Sequence, residues 1–373
     1  MTNTKEILNE FFTQRNSSEN TKRTYRRTVT LYEQKTGLKL PELLNLADEE
    51  ETQNIRWKNT ITRKHLINYR EYLYQKYNIT TARLYLTAII TIYRHFEITI
   101  QPLPYYSNKR LRKTAQLHYN ELPTREILRE CIQVTSPLAT SLILFISSSG
   151  VSRVDTLNLT IGDYLDATSE YHNHPNDIVG AVEEMHDKSV IPFFDGLVRQ
   201  KTGQSYFTFC SHEASRSINS YLLTRSDELT RDKSLFKVSD RYFNMIFEQL
   251  NDQFCLGKVG CYNRLRSHNL RKYHASRLSE AGMSTDYINL LQGRRVAGVA
   301  FESYIRVRPD SIREEYVEAL PFLVVDEAER YRSELDVARE ENSVLRRSIR
   351  EVVGRLDYIE EHVSWDDVVD EFK

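Results

Sequence analysis

The chain has 373 residues, more than one ordinary hydrophobic core requires, and its length suits two domains with an additional segment. Apolar residues make up 40% and charged residues 28%, and the few glycines and prolines favour a mainly helical protein. The net charge of −1 hides an asymmetry. Residues 1–115 carry 20 Lys and Arg against 11 Asp and Glu, whereas residues 324–373 carry 8 against 15. The basic amino-terminal part therefore predicts a polyanionic partner.

The cysteine pattern and the hydropathy argue against a secreted or membrane protein. The four cysteines are scattered and form no C-x-x-C pair, a pattern typical of free thiols in a reducing compartment. No signal peptide opens the sequence, and the longest apolar run, around residues 138–146, is too short to span a bilayer. We therefore expect a cytoplasmic protein with no membrane contact and no bound metal.

Residues 1–105 are predicted to form a small helical domain with one strongly basic helix. In the segment 21–37, four cations repeat at helical spacing on one side, and three apolar or aromatic residues repeat on another. Gly37 suits the left-handed cap that ends a helix. Because the basic excess extends over the whole segment, we interpret it as a DNA-binding surface rather than as a merely solvated face. The proposed contacts are Lys22, Arg23, Arg26 and Arg27.

Residues 106–124 are predicted to be a basic linker. Two prolines precede a run of cations, and a third proline comes just before the next predicted helix, so the segment is expected to be extended. A short basic segment between two domains can follow the phosphate backbone of a DNA duplex. Its cations are Lys109, Arg110, Arg112 and Lys113.

Residues 125–323 are predicted to form a second domain that combines helices with a small β-hairpin. A sharp turn is expected at Gly150, and a hairpin turn at Gly203. The polar stretch 166–187 is predicted to be a loop. The expected elements are helices at 125–133 and 138–147 and β-rich runs at 190–194 and 198–209.

The stretch from His268 to Tyr304 carries the residues best suited to phosphate chemistry. His268 and Arg271 lie one helical turn apart, so both project to one side of a helix. A guanidinium presents a planar fork of donors that matches phosphate oxygens, and a tyrosine hydroxyl can attack phosphorus to form a phosphotyrosyl ester. Arg294 follows in a Gly-Arg-Arg turn, ten residues before Tyr304. The combination predicts a phosphate-binding site with its own nucleophile.

The motifs HNLRKYHASRL and LLQGRR, followed by Tyr304, resemble the carboxy-terminal motif set of the tyrosine recombinases, most closely the archaeal integrases. The resemblance implies a two-domain clamp around double-stranded DNA, with a helical core-binding domain and a mixed α/β catalytic domain. It implies a nucleoid-associated homotetramer on DNA that needs neither metal nor nucleotide cofactor. Tyr304 would form a covalent 3′-phosphotyrosyl link, and strand exchange would pass through a Holliday junction.

The resemblance also implies roles for residues outside this stretch. Arg153 would supply the first catalytic arginine, although Ser152 stands at the customary arginine position and Arg153 one residue later. Asp155, at the family's acidic position, would brace the site. Lys201 in the hairpin turn would protonate the leaving 5′ oxygen, with Lys188 as the alternative.

Two positions in the motif set differ from the family pattern or have a rival nearby. Arg294 stands where the family usually has histidine or tryptophan, and arginine cannot exchange a proton at neutral pH, so His268 is the motif histidine able to titrate. Tyr316 is the nearest rival to Tyr304 but lacks the flanking pattern.

The acidic tail, residues 324–373, shows a heptad pattern. Leu335, Asn342, Ile349, Leu356 and Val363 fall seven residues apart, and four apolar residues interleave with them three residues later. An asparagine at one a position favours a parallel two-stranded coiled coil. The tail is therefore predicted to be an amphipathic helix that either pairs two copies or folds back onto the catalytic domain.

The sequence thus predicts a site-specific DNA recombinase. Two alternatives stay open. A type IB topoisomerase shares the chemistry without strand exchange, and a non-catalytic DNA-binding protein of the same fold would account for Ser152 and Arg294 at customary catalytic positions.

Overall fold

The structure is a computed structural model that describes residues 3–107, 121–294 and 308–362. The chain divides into two compact units, Met1–Gln116 and Leu117–Lys373, and the boundary falls within the predicted linker. Each unit has its own hydrophobic core, and the described parts are mostly helical. None of the helices described is both long and apolar enough to cross a membrane.

The amino-terminal unit is a bundle of helices around a core rich in aromatic rings. Tyr32 and Tyr93 are fully buried, and their hydroxyls lie 3.2 Å apart, so that one donates a hydrogen bond to the other. The carboxylate of Glu50 accepts the amide hydrogens of Ile61 and Thr62 at the start of a following helix. The helices are α1 (Thr4–Gln14), α2 (Glu19–Thr36), α3 (Leu40–Thr52), α4 (Ile61–Lys76) and α5 (Ile79–His95), with a short 3-10 helix at Trp57–Asn59.

Helix α2 is the predicted basic helix, and its ends follow from its caps. Ser18 accepts a hydrogen bond from the amide of Thr21, and Gly37 adopts a φ of +78° that closes the helix. Val29 and Tyr32 face the core. On the other side, Arg23, Arg26 and Arg27 are exposed, and Lys22 is half-buried beside Glu19.

The carboxy-terminal unit is built around one buried helix, α7. It is buried along most of its length and packs against both α11 and α13. Its helices are α6 (Arg125–Val134), α7 (Pro137–Ser149), α8 (Arg153–Asn158), α9 (Ile161–Ala167), α10 (Ile178–Glu184), α11 (His212–Leu223), α12 (Asp240–Gln253), α13 (Ser267–Glu280), α14 (Thr285–Leu291), α15 (Pro309–Leu323) and α16 (Glu327–His362). Its strands are β1 (Phe193–Val198) paired with β2 (Ser205–Phe209), and β3 (Lys258–Val259) paired with β4 (Tyr262–Asn263), both pairs antiparallel.

The predicted hairpin is confirmed as β1 and β2, with its turn at residues 199–204. The amide of Arg199 donates to the carbonyl of Gln204, and Gly203 has a φ of +67°. The predicted loop at 166–187 is wrong in part, because it contains α10. Three buried residues at helical spacing, Ile178, Ala181 and Val182, hold this short helix against the core.

The acidic tail contains helix α16, and residues 363–373, with the heptad residue Val363, lie outside the described residues. Helix α16 packs against α15. Farther along, the heptad residues Leu345, Ile349 and Val352 are 60%, 59% and 56% exposed. This part of the apolar seam therefore lies open to solvent rather than against the catalytic unit.

Candidate active site

Arg271 lies at the centre of the candidate site, on the buried side of α13. One terminal nitrogen of its guanidinium donates to the carbonyl of Gly150, and the other donates to the carbonyl of Gln292. The side-chain amide of Gln292 donates back to the carbonyl of Arg271 over 2.9 Å. Arg271 therefore joins the turn after α7 to the turn after α14, and its guanidinium keeps N–H donors beyond these two hydrogen bonds.

The turn at Gly150 requires glycine for two reasons. Its φ is +65°, and a Cβ atom there would lie 2.5 Å from Nδ1 of His274 and 2.9 Å from the side-chain nitrogen of Gln292. His274 is fully buried, and burial, followed by the charges of Arg271 and Arg294, lowers its pKa to about 3. A neutral imidazole thus packs directly under the turn that orients Arg271.

Asp155 braces the turn before α8 against the hairpin. One oxygen accepts a hydrogen bond from the Ser152 hydroxyl at 2.7 Å and a longer one from the Tyr206 hydroxyl at 3.4 Å. The other oxygen accepts from the amide of Gln200 at 3.1 Å. Asp155 is only 7% exposed, and these donors compensate for the loss of water around its carboxylate. They also hold the carboxylate against the hairpin turn.

Arg199 is a member of the site that the sequence analysis did not predict. Its guanidinium donates to the carbonyl of Gly293 over 2.7 Å, next to the carbonyl of Gln292 that Arg271 uses. Arg294 follows in the chain. The carbonyls of Gln292 and Gly293 thus hold two guanidinium groups beside Arg294.

The three arginines influence one another electrostatically. Burial, followed by the charges of Arg294 and Arg199, lowers the pKa of Arg271 to about 10. Burial and then Arg199 also lower the pKa of Arg294. Like charges held this close favour the binding of an anion. The only hint in the sequence was the position of Arg199 two residues before Lys201, in the same turn.

The structure places His268 and Lys201 at the surface. His268 is exposed at the start of α13, yet partial desolvation and the charges of Arg266 and Lys272 are the main causes that lower its pKa to about 4. It is therefore neutral at pH 7. Lys201 is exposed in the hairpin turn, whereas its alternative, Lys188, donates to the carbonyl of Tyr171 and lies near Glu184.

Arg153 points to a different part of the domain. Its guanidinium lies 3.0 Å from a carboxylate oxygen of Asp240 and 3.1 Å from the amide oxygen of Asn244, both on α12. The role of Arg153 as the first catalytic arginine stays a prediction.

The predicted nucleophile and the linker cations lie outside the described residues. These are Tyr304, Lys109, Arg110, Arg112 and Lys113. The rival nucleophile Tyr316 is fully buried, and its hydroxyl donates to the carbonyl of Ser148 over 2.8 Å. Burial also raises the pKa of Tyr316 well above its usual value. Its hydroxyl is thus neither accessible nor readily ionised.

Within residues 3–107, 121–294 and 308–362, no three His, Cys, Asp or Glu side chains form a group suited to a metal ion.

Two solved structures share the fold. One is the XerH site-specific recombinase bound to a palindromic difH substrate in a post-cleavage complex, at 14% identity and a TM-score of 0.50, covering 84% of this chain and 83% of that chain. The other is the Tn1549 transposon integrase, with one tyrosine replaced by phenylalanine, in complex with transposon right-end DNA. It is 12% identical, with a TM-score of 0.50, and the match covers 84% of this chain and 98% of that chain.

No family model and no curated protein matches the sequence. At these identities the structural similarity shows the fold alone. The chain has the fold of the tyrosine recombinases and integrases. The narrower likeness to archaeal integrases remains a prediction.

Proposed function

We propose that the protein is a site-specific DNA recombinase that cleaves and rejoins DNA through a covalent 3′-phosphotyrosyl intermediate. The observation that carries the proposal is the cluster of Arg199, Arg271 and Arg294. Asp155 is the acidic group beside it, and its oxygens already accept hydrogen bonds from three other residues. A positive cluster with donors to spare suits the charge that develops on a phosphate in the transition state of phosphoryl transfer.

The proposed reaction exchanges one phosphate ester for another. The hydroxyl oxygen of Tyr304 bonds to phosphorus, and the bond from phosphorus to the 5′ oxygen breaks. The phenol loses one proton and the 5′ oxygen gains one, so no proton is consumed. Because the ester energy is retained in the protein–DNA link, a 5′ hydroxyl from another strand can reverse the step, which gives strand exchange through a Holliday junction.

The remaining residues take roles that suit their chemistry. Lys201, on the exposed hairpin turn, would donate the proton to the leaving 5′ oxygen. His268, neutral at pH 7 in the free protein, would donate a hydrogen bond to a non-bridging oxygen. The phosphate would raise the pKa of His268, because a nearby negative charge favours the protonated ring. Arg294 would donate to the phosphate without exchanging a proton.

Double-stranded DNA is the proposed partner of both units. The exposed arginines of α2 and the linker cations would contact the phosphate backbone, where affinity depends on charge rather than sequence. Exchange between two duplexes needs four active sites, so the proposed assembly on DNA is a tetramer. The proposed location is the nucleoid.

Covalent capture on a nicked duplex tests the proposal. Duplexes that the wild-type protein binds are first selected from a random-sequence library. They are then synthesised with a nick just beyond the cleaved bond, so that the short fragment bearing the released 5′ hydroxyl diffuses away. We expect a denaturation-resistant protein–DNA adduct with wild type and none with Tyr304→Phe. Tyr331→Phe, which removes an exposed hydroxyl from α16, is the matched control and should still form the adduct.

The outcomes separate the open alternatives. Adduct formation by Tyr304→Phe would refute the assigned nucleophile. Sequence-specific binding without any wild-type adduct would support the non-catalytic DNA-binding alternative. An adduct accompanied by relaxation of supercoiled plasmid that lacks the selected site would support the topoisomerase alternative.

We also propose that α16 pairs two copies as a parallel, in-register coiled coil. Leu345, Ile349 and Val352 are exposed on one seam. In a parallel pair, Asn342 faces Asn342 of the other copy, and the two amides can hydrogen-bond. In an antiparallel pair, Asn342 would face an apolar d residue, and its amide would have no hydrogen-bond partner. The sequence also places Glu341 and Arg346 at g and e positions, which oppose each other between parallel chains.

Cysteine cross-linking tests this pairing. In a chain with Cys255→Ser and Cys261→Ser, which removes the exposed thiols, Val352→Cys should form an interchain disulfide under mild oxidation. Arg347→Cys, on the outer side of the same helix, should not. The pairing is refuted if both variants stay monomeric or cross-link equally.

A further inference from the structure

The position where the resemblance expects the first arginine of the proposed site does not hold an arginine. Ser152 stands there, and its hydroxyl caps α8 by accepting from the amide of Asp155 and bonds the carboxylate of the same residue. Arg153, the next residue, is paired with Asp240 and Asn244. Ser152, at the expected position, and Arg153, next to it, therefore both have structural partners on α8 or α12.

Arg199 reaches the site from another element. Asp155 accepts the amide hydrogen of Gln200, which fixes the hairpin turn against the start of α8. On the other side, Arg199 donates to the carbonyl of Gly293, which fixes the same turn against the end of α14. The backbone of the turn thus contacts Asp155, and the Arg199 guanidinium contacts the segment after α14 that also accepts from Arg271.

The hydrogen bonding of Arg199 leaves it free to bind more. A guanidinium has five N–H donors, and Arg199 makes one side-chain hydrogen bond to another described residue. It is half-buried, and no carboxylate among the described residues pairs with it as Asp240 pairs with Arg153. The like charges of Arg199, Arg271 and Arg294 repel one another in the free protein, and a bound phosphate would relieve that repulsion.

We propose that Arg199 contacts the scissile phosphate directly and supplies the guanidinium that the resemblance assigns to position 152, whereas Arg153 is a structural residue that ties α8 to α12. The inference rests on the proposed recombinase function. In this proposal one catalytic guanidinium comes from the β-hairpin instead of the start of a helix. The number of guanidinium groups that bind the phosphate is unchanged.

Charge substitution in the DNA distinguishes a phosphate contact from a structural one. The substrate is the nicked duplex that wild type cleaves, prepared with a normal phosphodiester or with a methylphosphonate at the cleaved position. The methyl group removes the negative charge that an arginine neutralises. A variant that lacks the phosphate-binding arginine should therefore lose much less activity on the methylphosphonate than on the phosphodiester.

Arg199→Gln is the main variant, because glutamine keeps an uncharged donor for the carbonyl of Gly293. We expect the rate of adduct formation on the phosphodiester to fall by about 100-fold or more, with most of the loss restored on the methylphosphonate. Arg199→Lys, which retains a charge without the fork, should fall between this variant and wild type. Arg153→Gln should lose less, and its loss should be the same on both substrates.

Two results would overturn the inference while leaving the recombinase function intact. One is a wild-type rate for Arg199→Gln, or a loss that the methylphosphonate does not restore. The other is restoration seen with Arg153→Gln instead. Absence of an adduct with wild type on any selected duplex would instead refute the proposed function itself.

Discussion

Arg271→Lys should lower the rate of adduct formation by about 100- to 1,000-fold while the protein still binds DNA. Arg271 holds the carbonyls of Gly150 and Gln292 with two diverging nitrogens, and a lysine ammonium is a single point that cannot reach both in that geometry. At least one carbonyl would lose its donor, and the phosphate would lose a planar fork. Single-turnover capture on the nicked duplex measures the effect.

Arg277→Lys is the matched control for this prediction. Arg277 lies on the same helix and pairs with Glu280 near the surface over 2.7 Å. Its replacement by lysine retains a charge that can pair with the same carboxylate, so the adduct rate should stay within about threefold of wild type. Equal losses in the two variants would show that α13 is merely sensitive to substitution, and would remove Arg271 from the proposed site.

Local patterns in the sequence predicted the elements that carry the site. The spacing of buried and polar residues in α13 predicts the helix, and the same spacing places Arg271 on its inner side. Gly150 ends α7 as expected because its φ is positive. These predictions succeed because they depend on residues within a few positions of one another.

The membership of the site could not be predicted in the same way. Arg199 joins Arg271 only because the hairpin turn meets Asp155 on one side and Gly293 on the other. These contacts link residues 45 and 94 positions apart, and no periodicity encodes them. The expected role of Arg153 came from its place beside Ser152, but the partners that orient its side chain, Asp240 and Asn244, lie on a distant helix.

The turn at Gly150 shows how packing under the site limits substitution. Gly150→Ala places a Cβ atom within 3 Å of His274 and of the side-chain nitrogen of Gln292, neither of which is an exposed, mobile group. The buried ring must shift, and the carbonyl of Gly150 that accepts from Arg271 must shift with the turn. Overpacking of this kind costs about 1–3 kcal/mol, in addition to about 1–2 kcal/mol for an alanine in the left-handed region.

The comparison with Gly282→Ala isolates the packing cost from the backbone cost. Gly282 lies in the same unit with a φ of +93°, and a Cβ atom there meets nothing within 4 Å. Thermal unfolding of the full chain should show a carboxy-terminal transition that falls several degrees further for Gly150→Ala than for Gly282→Ala. Below that transition, Gly150→Ala should also form adduct more slowly, because Arg271 loses its alignment. Equal melting temperatures for the two variants would mean that the site tolerates a methyl group there, and that His274 does not hold the turn in place.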